Sequence, residues 1–125
     1  MSLLSGLLGN ASESDGADLA DAFLASLVPG EEVVKVFKVL RDSIVFTTKR
    51  IVFVDRQGVT GKKADYYSVP YRSVDAFSME TRGTLDLDAD LTIWVKGAAA
   101  PVVKRFRDDR LVADVYRLLS LHTLG

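Results

Sequence analysis

Thr47–Tyr71 runs TTKRIVFVDRQGVTGKKADYYSVPY. The spacing predicts a strand, a turn and a second strand. RIVFVD is rich in β-branched and aromatic residues, as strands are. Arg56-Gln57-Gly58-Val59-Thr60-Gly61 supplies a turn with two glycines available for positive φ. KKADYYSVPY then resumes the period of two, with Tyr67 and Val69 on one face and Tyr66 and Ser68 on the other. Pro70 has no amide hydrogen and marks an edge, a bulge or the end of that strand. Basic residues occupy polar positions of the stretch, and no catalytic group stands among them.

The pattern continues on both sides. Upstream, VVKVFKVL and SIVFTT predict two further strands, with Arg41-Asp42-Ser43 and Thr48-Lys49-Arg50 as turns. Connections this short make the strands antiparallel neighbours. Downstream, Ser73–Thr81, Leu91–Lys96 and Pro101–Phe106 predict strands five to seven, and Gly97–Ala100 a turn. Asp108 or Asp109 caps a last helix over Arg110–His122. Its apolar stripe is Leu111, Val115, Leu118 and Leu119, with His122. No helices separate the strands, which excludes a doubly wound fold. A curled antiparallel sheet with one open end covered by the last helix buries every apolar face.

The N-terminal part differs. Leu3, Leu4, Leu7 and Leu8 form a short stripe without the Lys or Arg that helps a helix reach anionic lipid. Asn10–Gly16 is a polar linker, and Ser14 or Asp15 caps a helix lined by Leu19, Phe23 and Leu27 that Pro29-Gly30 stops. The expected organisation is a helical arm over residues 1–30 and a strand-rich domain over 31–125.

The 125 residues suit one domain, and 48 % hydrophobic with 26 % charged residues suits a folded core. The net charge of -1 gives no global argument for nucleic acid. Residues 1–32 carry six acids and no Lys or Arg, leaving 16 basic and 11 acidic side chains, a net of +5, on the rest. Without cysteine there is no disulfide, thiol catalysis or thiolate metal site. The first ten residues make a poor signal peptide and no apolar run is long enough to span a bilayer, so a cytoplasmic location is expected.

Each candidate site has a plain structural alternative. Asp86, Asp88 and Asp90 sit on one strand face in steps of about 6.5–7 Å, unlike the converging loop a hard cation needs. They are expected to form a solvated face that protects an edge. Lys62 and Lys63 are a candidate weak anion contact, without the phosphate-cradling loop and helix of a nucleotide site. Lys104, Arg105, Arg107 and Arg110 are interrupted by Asp108 and Asp109 and predict salt bridges rather than a nucleic-acid surface. His122 is the sole histidine; its place near a helix C-terminus would favour the charged form. Ser43, Ser68, Ser73 and Ser78 lack a hydrolase context. No catalytic, cofactor or metal site is expected. Among the aromatics and methionines, Tyr66, Tyr71, Phe77 and Met79 are the candidate subunit interface, as anchors on an outward sheet face.

TTKRIVFVDRQGVTGKKADYYSVPYRSVDAFSMETRG, DLDADLTIWVKG and the amphipathic C-terminal helix together resemble the bacterial pleckstrin-homology (PH)-like domain family, over about Glu32 to Leu121. The resemblance implies a mainly β fold: a PH-like barrel of two near-orthogonal antiparallel sheets, seven strands in all, capped by the C-terminal helix. It also implies a homo-oligomer, with a ring as one form of assembly. Eukaryotic relatives hold phosphoinositide headgroups with basic residues after the first strand. Here that loop is Arg41-Asp42-Ser43, too short and too weakly charged for such a cradle. The tryptophan common in those relatives' last helix is absent; Tyr116 takes a comparable surface and Trp94 lies in a strand. The expected role is a non-catalytic interaction module partnered by itself or by an unidentified protein, not by nucleic acid. The alternative is a peripheral membrane-surface or anionic-ligand binding domain, motivated by the leucine stripe and the basic body.

Overall fold

The computed structural model describes residues 19–39, 41–59, 63–81, 88–107 and 109–125. The leucine stripe of residues 3–8, the caps Ser14 and Asp15, and Lys62, Asp86 and Asp108 lie outside them. The chain divides into two compact units after Ser68.

The first unit begins with α1 (Asp21–Ala25) and continues through β1 (Val33–Val39), β2 (Asp42–Thr47) and β3 (Arg50–Gln57) into β4 (Lys63–Pro70). The strands form one sheet in the order β1-β2-β3-β4. Opposite pairs such as Val36 with Val45, and Val45 with Val52, put valines on one face. Leu19 and Phe23 pack with these valines, Val33 and Val54, flanked by Leu24, Leu27, Ala64 and Tyr66. The other face carries Phe37, Ile44, Phe46, Ile51 and Phe53, all fully buried. SIVF and IVFV are thus continuous apolar runs because both of their faces are buried. Helix α1 is shorter than the stripe Leu19–Leu27 predicts. Ser26 ends it by sending both its amide and its hydroxyl to the Phe23 carbonyl, at 2.9 and 2.6 Å, which competes with helical continuation.

The second unit holds a 3₁₀ turn (Tyr71–Ser73), β5 (Val74–Thr81), β6 (Ala89–Val95), β7 (Val102–Phe106) and α2 (Asp109–Leu124). Its antiparallel sheet has the order β5-β6-β7. Helix α2 packs on all three strands. Its deepest residues are Val112, Val115 and Leu119. The stripe is therefore turned slightly from the expected one, with Val112 in the centre and Leu111 and Leu118 at its margins.

The expected barrel is not formed. The four-stranded and three-stranded sheets stay separate, and neither is closed. A closed barrel requires edge strands of one sheet to hydrogen-bond to the other. Instead β4 runs out at Pro70, which offers no N–H, and the 3₁₀ turn breaks the ladder before β5. The expected seven strands and the two flanking helices are present.

Candidate functional site

One end of the four-stranded sheet gathers two turns. Arg41, between β1 and β2, donates from its guanidinium to the carbonyl of Gly58, beyond β3. Asp42 Oδ1 accepts the Arg56 N–H at 2.9 Å. These two bonds tie the β1–β2 turn to the start of the β3–β4 connection. Gly58 has φ +77° there, a value that suits glycine. The next residue, Val59, is fully exposed. An apolar side chain thus stands exposed just beyond β3, which ends at Gln57, and β4 begins at the exposed Lys63. Of the expected anion pair, Lys63 is here, and Lys62 falls outside the described residues. Asp42 and Asp55 keep the local charge modest.

The opposite end of the sheet is closed by a buried ion pair that the sequence did not announce. Arg50 Nε donates to Glu31 Oε2 at 2.8 Å and a second guanidinium nitrogen donates to Oε1 at 3.0 Å. Thr47 Oγ1 donates to Oε2 at 2.6 Å, and the Val28 N–H donates to Oε1 at 3.0 Å. Arg50 also reaches Ser68 Oγ at 3.2 Å. Burial alone would raise the Glu31 pKa. The hydrogen bonds from Arg50, Thr47 and Val28, with the Arg50 charge, outweigh it and lower the pKa from 4.5 to about 2. This network fastens the segment after α1 to the β2–β3 turn. A pair 19 residues apart carries no local sequence signal; an acid just before the first strand and an arginine in a tight turn were its only trace.

The four candidate interface residues are placed differently. Tyr66 is half-buried, stacked on Phe23 with centroids 5.0 Å apart, and its hydroxyl accepts the Ala20 N–H at 3.1 Å. Tyr71 stacks on His122 at 4.6 Å, nearly parallel. Phe77 meets Tyr116 edge-on at 5.1 Å. Met79 is 37 % exposed. Tyr66 belongs to the first unit, and Tyr71, Phe77 and Met79 to the second. His122 departs from the sequence-based expectation: burial beside Tyr71 pushes its pKa below the ordinary value, against the helix-end preference for charge. Arg105 pairs with Asp90 directly across β6 and β7, at 2.9 Å. No cluster of metal-ligating side chains occurs among the described residues, and no described helix is long and apolar enough to cross a membrane.

The described residues form a small chain with a four-stranded sheet, a three-stranded sheet and a terminal helix packed on the latter. The chain belongs to the bacterial PH domain family, whose profile matches residues 2–123. It is 46 % identical over 121 residues to the uncharacterized protein YjqA of Bacillus subtilis strain 168, covering 96 % of this chain and 97 % of that one. Among solved structures it is similar to a pleckstrin homology domain from Shewanella amazonensis SB2B, with TM-score 0.79, 41 % identity and 98 % of each chain covered. A DUF1696 family protein with a pleckstrin-homology domain from Shewanella loihica PV-4 aligns with TM-score 0.73 and 36 % identity, over 86 % of this chain and 92 % of that one.

Proposed function

We propose that this chain is a peripheral module that binds an anionic surface through the joined β1–β2 and β3–β4 turns. The carrying observation is Val59, fully exposed beside Gly58, whose carbonyl accepts from Arg41, with Arg56 three residues before it and Lys63 four after it. An apolar residue placed there contributes nothing to the core. It gains when it leaves water for the headgroup–acyl boundary, and the cations near it in sequence gain from anionic lipid. The two terms are individually small, so a cytoplasmic chain of this kind would bind reversibly. Membership of the PH domain family supports a binding role over catalysis. The test is flotation with anionic vesicles. Val59→Asp should lower the bound fraction several-fold without changing thermal stability, because the side chain makes no buried contact. Retention of full binding by Val59→Asp and by Lys63→Glu would refute the assignment.

A second reading, self-association into a homo-oligomer such as a ring, is favoured by one specific feature. β5 is eight residues long, lies at the edge of its sheet and is exposed along most of its length. It contains neither Lys nor Pro, and of the charged residues that blunt such an edge it has Asp75 and Glu80. Met79 on this strand is the proposed contact. Light scattering should give a discrete mass above 13.7 kDa, lowered by Met79→Lys. A monomer at high concentration would dismiss this reading.

A further inference from the structure

We infer that the valine face of the four-stranded sheet is a groove for an acidic amphipathic helix of a protein partner, and that α1 is a displaceable strap filling it. The inference is independent of the surface-binding reading above and uses other residues. The groove floor is Val33, Val36, Val45, Val52 and Val54, none more than 6 % exposed. Of residues 19–27, which form the strap, only Leu19 and Phe23 are buried. Leu24 and Leu27 pack partly against the same cluster, and the other residues of the strap are exposed. A cover this thin is held by little. Helix α1 has five residues, and its N-cap, Ala20, supplies no side-chain bond. A helix so short owes its order to packing. A further hold is Tyr66, whose ring stacks on Phe23 and whose hydroxyl accepts the Ala20 N–H.

The base of the strap is anchored separately. Val28, Pro29, Gly30 and Glu31 make a tight turn in which the Glu31 N–H donates to the Val28 carbonyl at 2.9 Å and Gly30 has φ +85°. Proline followed by glycine at positive φ is the pattern of a type II turn. The Glu31 carboxylate accepts the Val28 N–H and the Arg50 guanidinium, so this turn is fixed to the sheet. Residues 19–27 can therefore leave the valine face while the turn and β1 stay in place. The resident strap also shows what the groove accepts. Leu19, Phe23 and Leu27 recur at i, i+4 and i+8, the spacing by which a helix is read in an apolar groove. Asp21 is the strap's one charged side chain, and residues 1–32 carry six acids and no Lys or Arg against a net of +5 on the rest. The displacing helix thus presents a central aromatic flanked by leucines, with acids on its outer face.

The probe is a fluorescein-labelled peptide of residues 17–29, titrated with the full chain and read by anisotropy. The full chain carrying Phe23→Ala loses the strap's anchor. It should bind the peptide about tenfold more tightly than the wild-type chain, whose own strap competes at high effective concentration. A peptide that itself carries Phe23→Ala should bind neither chain. Hydrogen exchange on the wild-type chain needs no variant to fold, and it should find the Leu24 N–H far less protected than the amides of β2 and β3. Protection of Leu24 equal to theirs would overturn the inference. So would equal affinity of the two chains for the peptide, or no binding by a folded Phe23→Ala chain. A wild-type dimer that the free peptide dissociates would assign the groove to α1 of a second copy and overturn the partner reading.

Discussion

Glu31 and Arg50 show at the residue scale how a buried charge is made tolerable. The carboxylate accepts four hydrogen bonds, two from one guanidinium. A carboxyl whose folded pKa is depressed contributes stability above its unfolded pKa and loses it as pH falls through the folded value. For Glu31 that window runs from 4.5 down to about 2, and the contribution is on the order of 3 kcal/mol. Glu31→Gln should cost about 3 kcal/mol near neutral pH and flatten the acid limb in urea unfolding measured between those pH values. An unchanged limb would mean that another carboxyl governs it. Among the described residues His122 also has a depressed pKa. Its folded state resists protonation, so its contribution is lost as pH falls through 6.5 toward the lower folded value. An NMR titration should place its midpoint below 6.5, and Tyr71→Ala should move it back upward by admitting water. Neither environment was legible locally. The residue types were visible, but both pKa shifts depend on packing between segments distant in sequence.

At the scale of elements, the period of two and the turn chemistry located all seven strands, because β-branched runs bounded by Gly, Asp and Arg have few alternatives. The C-terminal helix was legible for the same reason, and its centre was not: Val112 and Leu111 are adjacent, and only contact with β5, β6 and β7 decides which is deeper. Leu119→Ala, at the fully buried centre, should cost about 2–5 kcal/mol, whereas Leu121→Ala, on the exposed side, should fall within about 0.5 kcal/mol. Equal effects would put the helix on the sheet by another face. Sheet closure was the expectation that failed. Periodicity marks which residues face a core, but it is blind to whether two edges find each other, and Pro70 with the following 3₁₀ turn leaves the ladders apart.

At the scale of the molecule, two sheet units carry family membership, and the proposed function lies in the β1–β2 and β3–β4 turns of the first. Part of that candidate site was legible: Lys63 and the Gly58 turn could be picked out from composition. Val59 could not, because exposure of one valine in a turn is a fact of three dimensions, and neither could the bond that braces Arg41 against Gly58. Binding driven by Val59 and its neighbouring cations should weaken as salt rises, since modest surface charge is screened within about 8–10 Å at physiological ionic strength. The most direct measurement is flotation of the full chain with phosphatidylcholine vesicles that contain or lack phosphatidylglycerol, at low and physiological salt. Recruitment to the anionic vesicles alone, reduced by salt, is the predicted result. No recruitment, or equal recruitment to both vesicles, would contradict the account.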